Sequence, residues 1–403
     1  MVLCIRRLRR KISRFEKGKK KMMRIKTIKT VFAATAAAAM AANAMDAEFL
    51  RELIAIPSVS ADIAQVNRAS RAMKAYLEKR GVCCALETMP DGREALYAST
   101  TPGKGHDFVI APHIDVVPPA DKAQFTMVRE GDKVIGRGVS DCKGRAVAVA
   151  ELLCSLVGKN VSVGCIFGPD EEIGGFGTRW MVVDKGYAPK KMAIVADSGY
   201  ANLYYAQKGQ TYFRVVAKGR SRHSSAPWAC DDTIDKMARA CTRIRDEWDR
   251  THPLAEDKWS DVLTPTIVHA DDGAMNLIPG KLEMVYNLRS ARPEAKDEAM
   301  ALIKECTGAE VELIRHTPPV SSDPDHPLMQ RLRKTMGESL GCEVPAARML
   351  AATDARHFLT CNVPVAIVGT KGGGGHSANE YAYLSTMDEM REFLYRFLMS
   401  AHD

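Results

Sequence analysis

The sequence predicts an α/β fold, with a mixed, largely parallel sheet flanked by helices and a smaller α+β domain inserted into it. Four short apolar runs have the length and composition of buried strands, and each ends in a loop rich in proline, glycine or acidic residues. These runs cover residues 108–111, 163–167, 192–196 and 365–368. An alanine-rich apolar helix is predicted between the first two runs, over 146–156, and this order of strand, helix and strand is typical of parallel sheets.

The segment 207–316 has a different pattern from the rest of the chain. It reads as strand, helix, two strands, helix and strand, and it contains none of the candidate metal ligands described below. Because the apolar run at 365–368 must rejoin the first sheet, we interpret 207–316 as an inserted α+β domain. The main domain is then built from residues 45–206 and 317–403.

Residues 1–44 read as a basic leader with a signal-like segment. The formal charge is +8, but the first 30 residues hold 13 Lys/Arg and one acid, so the remaining chain has a net charge of −4. A mildly acidic body argues against a nucleic-acid partner. The alanine-rich run 31–42 leads into Ala42-Asn43-Ala44, the pattern of a secretory signal with its cleavage site. This pattern predicts an exported protein, periplasmic or secreted, with no stable membrane insertion of the mature chain.

The cysteines favour the alternative location. The chain has 11 of them, an odd number with irregular spacing, which is unusual for an exported protein stabilised by disulfides. Translation from a later start such as Met45 would give a cytoplasmic protein.

Acidic and imidazole side chains follow four of the predicted strands. In open sheets of this kind, ligands bind just beyond the carboxyl ends of the strands. Because these ends meet at one edge, we expect the side chains to lie close together. They are His113 and Asp115, the triplet Asp170-Glu171-Glu172, Asp197 and His376.

These residue types are ligands that zinc prefers, and a two-metal hydrolase needs about five or six of them, with one carboxylate shared between the ions. Alternation along an extended segment would place Asp115 beside His113, where it can accept a hydrogen bond from the imidazole. Asp141 precedes the alanine-rich helix, so it is a candidate for a helix cap, a shared ligand or both. Of Glu171 and Glu172, one can bind metal while its neighbour transfers protons, and their spacing does not say which.

The motifs around these residues resemble a known family, the di-zinc aminoacylase and carboxypeptidase group that includes acetylornithine deacetylase, succinyl-diaminopimelate desuccinylase and glutamate carboxypeptidase. The resemblance extends from Met45 to the C-terminus. In chain order, the motifs are His113-Ile-Asp115-Val-Val-Pro, Gly136-Arg-Gly-Val-Ser-Asp141-Cys-Lys-Gly144, Asp170-Glu-Glu-Ile-Gly174, Asp197-Ser-Gly, His223-Ser-Ser-Ala-Pro227 and His376-Ser-Ala-Asn-Glu380.

The resemblance implies two zinc ions per subunit, with Co²⁺ able to substitute. One ion would be held by His113, Asp141 and Asp197, and the other by Asp141, Glu172 and His376. Glu171 would be the general acid/base and Asp115 would orient His113. The chain departs from its relatives at Cys142, more often methionine, and at Asn287, often an acid, neither of which is an implied ligand. Cys142 lacks a paired cysteine motif, which argues against a role as ligand or nucleophile.

For the inserted domain, the resemblance implies a lid and dimerisation role in a homodimer. The histidine matching His223 would reach the partner subunit's site and stabilise the oxyanion. Asn276, Arg289 and Arg356 match substrate-binding positions, and arginine suits a substrate carboxylate.

The sequence therefore predicts a metal-dependent amidohydrolase. The preferred reaction is hydrolysis of the amide bond of a small, carboxylate-bearing N-acyl amino acid, as in a desuccinylase or deacetylase. A metallo-carboxypeptidase or dipeptidase acting on short peptides is the alternative within the family. A non-catalytic binding protein on the same fold is the alternative of another class, and the presence of every implied ligand argues against it.

Overall fold

A computed structural model describes residues 45–270 and 273–401 of the chain. The predicted leader and signal-like segment, residues 1–44, lie outside the described residues. From Ala47 onward the described residues form one compact unit. None of the helices in the described ranges is long and apolar enough to cross a membrane.

The helices and strands alternate along much of the chain. The helices are α1 (Ala47–Ile54), α2 (Ile63–Glu78), α3 (Lys143–Leu156), the short α4 (Phe176–Arg179), α5 (Thr233–Thr251), α6 (Ala295–Thr307), α7 (Pro327–Leu340) and α8 (Leu384–Ser400). The strands are β1 (Cys83–Thr88), β2 (Glu94–Ser99), β3 (Phe108–Ala111), β4 (Val128–Glu130), β5 (Lys133–Ile135), β6 (Val163–Phe167), β7 (Met192–Ser198), β8 (Leu203–Gln207), β9 (Gly209–Lys218), β10 (Arg222–His223), β11 (Val262–Ala270), β12 (Leu277–Ile278), β13 (Lys281–Ser290), β14 (Glu310–Thr317), β15 (Val320–Ser321), β16 (Ala346–Met349), β17 (Val365–Gly369), β18 (Gly372–Gly373) and β19 (Tyr381–Tyr383).

The main sheet has a parallel centre and antiparallel margins. Its strand order is β1-β2-β6-β3-β7-β17-β8-β15, with β16 also paired to β8. The four central strands, β6, β3, β7 and β17, run parallel to one another. They correspond to the four apolar runs, and helices cover the sheet, so the predicted α/β fold class with a mixed, largely parallel sheet is confirmed.

The burial of the central strands of the main sheet explains why they could be predicted from the sequence. All residues of β3, β6 and β17 are buried, so these strands are apolar throughout instead of alternating. Helix α3 is apolar on nearly all sides because it packs against α8 as well as against β6 and β7. The parallel strands and α3 bring their polar ends to one edge of the sheet.

A second, fully antiparallel sheet lies within the segment interpreted as inserted. Its order is β11-β13-β9-β14. Helices α5 and α6 pack on it around a separate apolar core that includes Phe213, Trp248, Met284 and Ile303. The sequence predicts only 266–268 of edge strand β11, because the strand alternates, is largely exposed and has a register shift at Pro265.

Candidate active site

The predicted edge of the main sheet holds a compact group of imidazoles and carboxylates. His113 follows β3 and forms an isolated bridge with Gly168, which follows β6. Asp197 is the second-to-last residue of β7, and His376 follows β17. Asp141 comes immediately before α3. The topology therefore brings together side chains that are up to 263 positions apart in the sequence.

Asp141 lies between the two histidines. Its Oδ1 is 3.0 Å from His113 Nε2, and its Oδ2 is 3.2 Å from His376 Nε2. Glu172 Oε2 is 3.0 Å from the same His376 nitrogen. Two nitrogens facing different oxygens of one carboxylate is the arrangement expected of a shared ligand.

These separations fit zinc. With metal–ligand bonds of about 2.0–2.2 Å and tetrahedral angles, two ligand atoms on one ion are about 3.3 Å apart. Glu172 also has a buried Oε1 with no hydrogen-bond partner among the described residues, as a metal ligand would before binding. Hydrogen bonds to Asp141 and Glu172 raise the pKa of His376 to about 10, so the electrostatic field at this point favours a positive charge.

Asp197 is the remaining predicted ligand, and it has a partner that the sequence did not predict. Arg145, in the first turn of α3, donates from Nη1 to Asp197 Oδ1 at 2.9 Å. Asp197, His113 and Cys142 each offer one ligand-type atom within 4.8 Å of the others. Burial raises the pKa of Cys142 to about 12, and its Sγ donates to the Ala196 carbonyl at 3.0 Å, which agrees with the prediction that this thiol is not a nucleophile.

Asp115 is fully buried and organises the site from behind. Its Oδ1 is 3.3 Å from His113 Nδ1, and its backbone carbonyl oxygen is 3.1 Å from the same nitrogen. The same carboxylate also accepts hydrogen bonds from the backbone N–H groups of Glu171 and Glu172, at 3.0 and 3.2 Å, and from the Ser60 hydroxyl at 2.6 Å. One carboxylate thus fixes both a histidine and the loop that carries the two glutamates.

Glu171 is largely shielded from solvent beside this cluster. Burial and the charge of Asp354 raise the pKa of Glu171 well above its ordinary value. Its Oε1 is 3.8 Å from Arg356 Nη2, one of the predicted substrate-binding arginines. Burial, and to a lesser extent the positive charge of Arg356, lower the pKa of Arg289, the second predicted substrate-binding arginine.

His223 and Asn276 contact each other but not this cluster. Asn276 Nδ2 is 3.1 Å from His223 Nε2, and the two residues lie on the facing segments of the small β10–β12 sheet. Both are exposed. Among the described residues, no hydrogen bond or ion pair joins either of them to the predicted metal ligands, so the single chain assembles the cluster without them.

Glu380 is a further residue of the site that the sequence did not assign. It is fully buried, and its carboxylate accepts from Arg137 Nη1 at 2.7 Å and from the backbone N–H of Asp141 at 3.0 Å. The N–H groups of Gly138 and Ser140 donate to it as well. In the sequence, Glu380 is the last residue of the motif His376-Ser-Ala-Asn-Glu380, but no role followed from that position, because its burial depends on distant partners.

A buried glutamate next to a cluster of zinc-type ligands, at the carboxyl edge of an α/β sheet, is the site of a metal-dependent hydrolase. The chain belongs to peptidase family M20/M25/M40, whose sequence profile matches residues 109–400. The predicted family resemblance is confirmed, and the protein is a hydrolase acting on amide or peptide bonds.

Named relatives carry more than one activity. The chain is 24% identical over 374 residues to a protein of Staphylococcus epidermidis named "Probable succinyl-diaminopimelate desuccinylase", covering 81% of this chain and 92% of the relative. It is 25% identical over 292 residues to a "Probable carboxypeptidase" of Aspergillus niger, covering 65% and 68%. Among solved structures, an M20 family metallo-carboxypeptidase from Sulfolobus solfataricus has the same fold, with a TM-score of 0.72 at 17% identity over 87% of this chain and 97% of that one.

Proposed function

We propose that this protein uses two zinc ions to hydrolyse the amide bond of a small, carboxylate-bearing N-acyl amino acid, with Co²⁺ able to replace Zn²⁺. The observation that carries the proposal is the position of Asp141, with His113 at one oxygen and His376 at the other. A carboxylate placed in this way would be shared by two ions, and the buried Glu171 beside the cluster would serve the proton transfers.

The residues that would hold the ions divide into two sets around Asp141. His113 and Asp197 complete one set, and Glu172 and His376 complete the other. Bound zinc ions supply Lewis-acid polarisation of the substrate carbonyl and lower the pKa of water at the site. Asp115 keeps His113 and the loop of Glu172 in place, so little reorganisation is needed when the ions bind.

Glu171 is the proton-transfer group in this proposal. Its pKa is raised by burial and by Asp354, which makes it a stronger base than an exposed glutamate. It accepts a proton from the attacking water and gives that proton to the departing nitrogen. The Asp115 carboxylate accepts a hydrogen bond from the backbone N–H of Glu171. This bond positions Glu171 without involving the side-chain carboxylate of Glu171.

The substrate carboxylate is assigned to the two arginines. Arg356 is 5% exposed on its side chain and lies 3.8 Å from Glu171, so it is at the reacting centre and poorly solvated. Arg289 is half-buried, and burial together with the positive charge of Arg356 lowers its pKa. Arg356 Nη2 also lies 3.6 Å from Asp354 Oδ1, whereas no carboxylate of the described residues pairs with Arg289, so Arg289 in particular favours a ligand with at least one carboxylate.

The exposed pair of His223 and Asn276 bears on the oligomeric state. His223 is exposed and already oriented by Asn276 and Ser225, which supports a homodimer in which it reaches the partner's site and stabilises the oxyanion.

A metallo-carboxypeptidase or dipeptidase is the second candidate, because the carboxypeptidase relatives share this fold and the same arginines would hold a C-terminal carboxylate.

A hydrolysis screen tests the proposal. Metal-free protein is reconstituted with Zn²⁺ or Co²⁺ and assayed on N-succinyl and N-acetyl amino acids, on C-terminally blocked versions of each, and on dipeptides. We expect turnover of the N-acyl amino acids, with loss on blocking the carboxylate. Turnover of dipeptides alone would select the second candidate. Two bound ions with no turnover on any compound would instead indicate a binding protein.

A further inference from the structure

The two predicted metal positions have different electrostatic surroundings. Arg145 has an exposed fraction of 6% and donates from Nη1 to Asp197 Oδ1 at 2.9 Å. On the other side, His376 contacts both Glu172 and Asp141, and no lysine or arginine of the described residues pairs with Glu172 or His376. A permanent positive charge is therefore built into one position only.

Arg145 has few other partners. Its Nε is buried with no hydrogen-bond partner among the described residues, and its second contact is the Cys142 sulfur at 3.8 Å, a weak acceptor. Asp197 is thus its principal counter-charge. Arginine stays protonated in proteins, so this charge is present at every working pH.

A guanidinium in this place opposes a metal ion in two ways. It donates a hydrogen bond to one of the two oxygens of Asp197, which reduces the negative charge that this carboxylate offers to an ion. It also repels the ion directly across a poorly solvated space, where charge interactions are weakly screened. Resting on the proposed two-metal function, we infer that Arg145 competes with the metal ion for Asp197 and weakens ion binding at the position formed by His113, Asp141 and Asp197.

Replacement of the charge by a neutral donor tests this inference directly. Arg145→Gln removes the positive charge and leaves a shorter polar side chain. Metal-free protein is titrated with Co²⁺ by calorimetry, with the Co²⁺ absorption bands as a second readout. We expect the weaker dissociation constant to fall about tenfold, equivalent to about 1.4 kcal/mol, while the tighter constant is unchanged. A weaker constant that stays the same or rises would overturn the inference and make Arg145 a positioning residue for Asp197.

Arg391→Gln is the matched control, because Arg391 Nη1 is also held in a protected ion pair, 2.8 Å from Glu151 Oε2, and Glu151 is not a predicted ligand. It should leave both dissociation constants unchanged. Thermal unfolding shows whether each variant is folded.

Two ligand variants that keep Arg145 give an independent test if Arg145→Gln does not fold. Asp197→Ala should remove the weaker binding step and Glu172→Ala the tighter one, so a loss of the tighter step in Asp197→Ala contradicts the inference. The outcomes are also separate from those of the proposed function. Two ions bound in this order without turnover would support Arg145 as the competitor and contradict the amidohydrolase, whereas turnover with equal constants would do the reverse.

Discussion

The ligand cluster of the main sheet and the His223–Asn276 pair of the second sheet are both polar, but they differ in how the chain supports them. In the cluster, buried groups hold the site residues from behind, as Asp115 does for His113 and Glu380 for Asp141. His223 and Asn276 are exposed and hold mainly each other. The difference shows that one chain can preassemble the metal ligands, whereas a role for His223 in catalysis needs another surface to bring it to the substrate.

Glu171→Ala should have the largest effect and tests whether the cluster separates proton transfer from metal binding. We expect a fall in kcat of about 10⁴-fold, because the buried base is lost, with metal content near that of the wild type. His376→Ala is the comparison, since it should lose activity together with metal. Metal analysis beside steady-state kinetics checks both variants. An active Glu171→Ala protein would show that the base is another residue.

His223→Ala tests the exposed pair, with an expected fall in kcat of about 10²-fold from loss of oxyanion stabilisation and no change in metal content. Mixing His223→Ala with Asp141→Ala subunits should restore part of the activity if the pair acts across a dimer. Size-exclusion chromatography with light scattering gives the oligomeric state. Absence of recovery in mixed dimers would place His223 outside the partner's site.

Glu380→Gln tests how far the support behind the cluster matters. The change removes the counter-charge of buried Arg137 and weakens three backbone contacts to the 138–141 loop, so we expect metal affinity to fall about tenfold. Loss of the counter-charge should also lower the melting temperature. Glu392→Gln, which removes an ion pair with Arg396 within α8, is the control and should change neither. Equal metal affinities in the two variants would mean that Glu380 stabilises the fold only.

Asp354→Asn should have the smallest effect, a change in pH dependence. In the proposed mechanism Glu171 acts when deprotonated, so we expect activity to fall as the pH drops through its raised pKa. Since the Asp354 charge helps to raise that pKa, its removal should move the acid limb of kcat/KM to lower pH by about half a unit. Asp184→Asn, in an exposed ion pair with Arg179, should leave the limb in place. A shift to higher pH would contradict the role given to Asp354.

The buried centre of the fold could be predicted from the sequence because the composition of its strands indicates a buried environment. Residues of β3, β6 and β17 are apolar at every position, and the polar residues that follow them had to meet at one edge. Edge strand β11 was predicted too short because its exposed, alternating residues resemble a loop. The composition of a strand therefore predicts its burial better than it predicts its pairing with other strands.

The supporting charges could not be predicted for a related reason. Arg145 and Glu380 look like surface residues in the sequence, since their burial depends on partners supplied by distant elements. Asp197 is 52 positions from Arg145, and the loop that donates to Glu380 is about 240 positions away from it. The residues next to Arg145 and Glu380 in the sequence therefore do not indicate these long-range contacts.

The long reach of Glu380 has a consequence for the order in which the protein matures. The backbone around Asp141 is held by a side chain from the last part of the chain, just before α8. A chain still being synthesised would have His113, Asp141, Glu172 and Asp197 in place in the sequence but neither His376 nor the carboxylate that fixes the 138–141 loop. Ion capture would therefore follow the synthesis of the segment that carries His376 and Glu380 and the packing of that segment against the 138–141 loop.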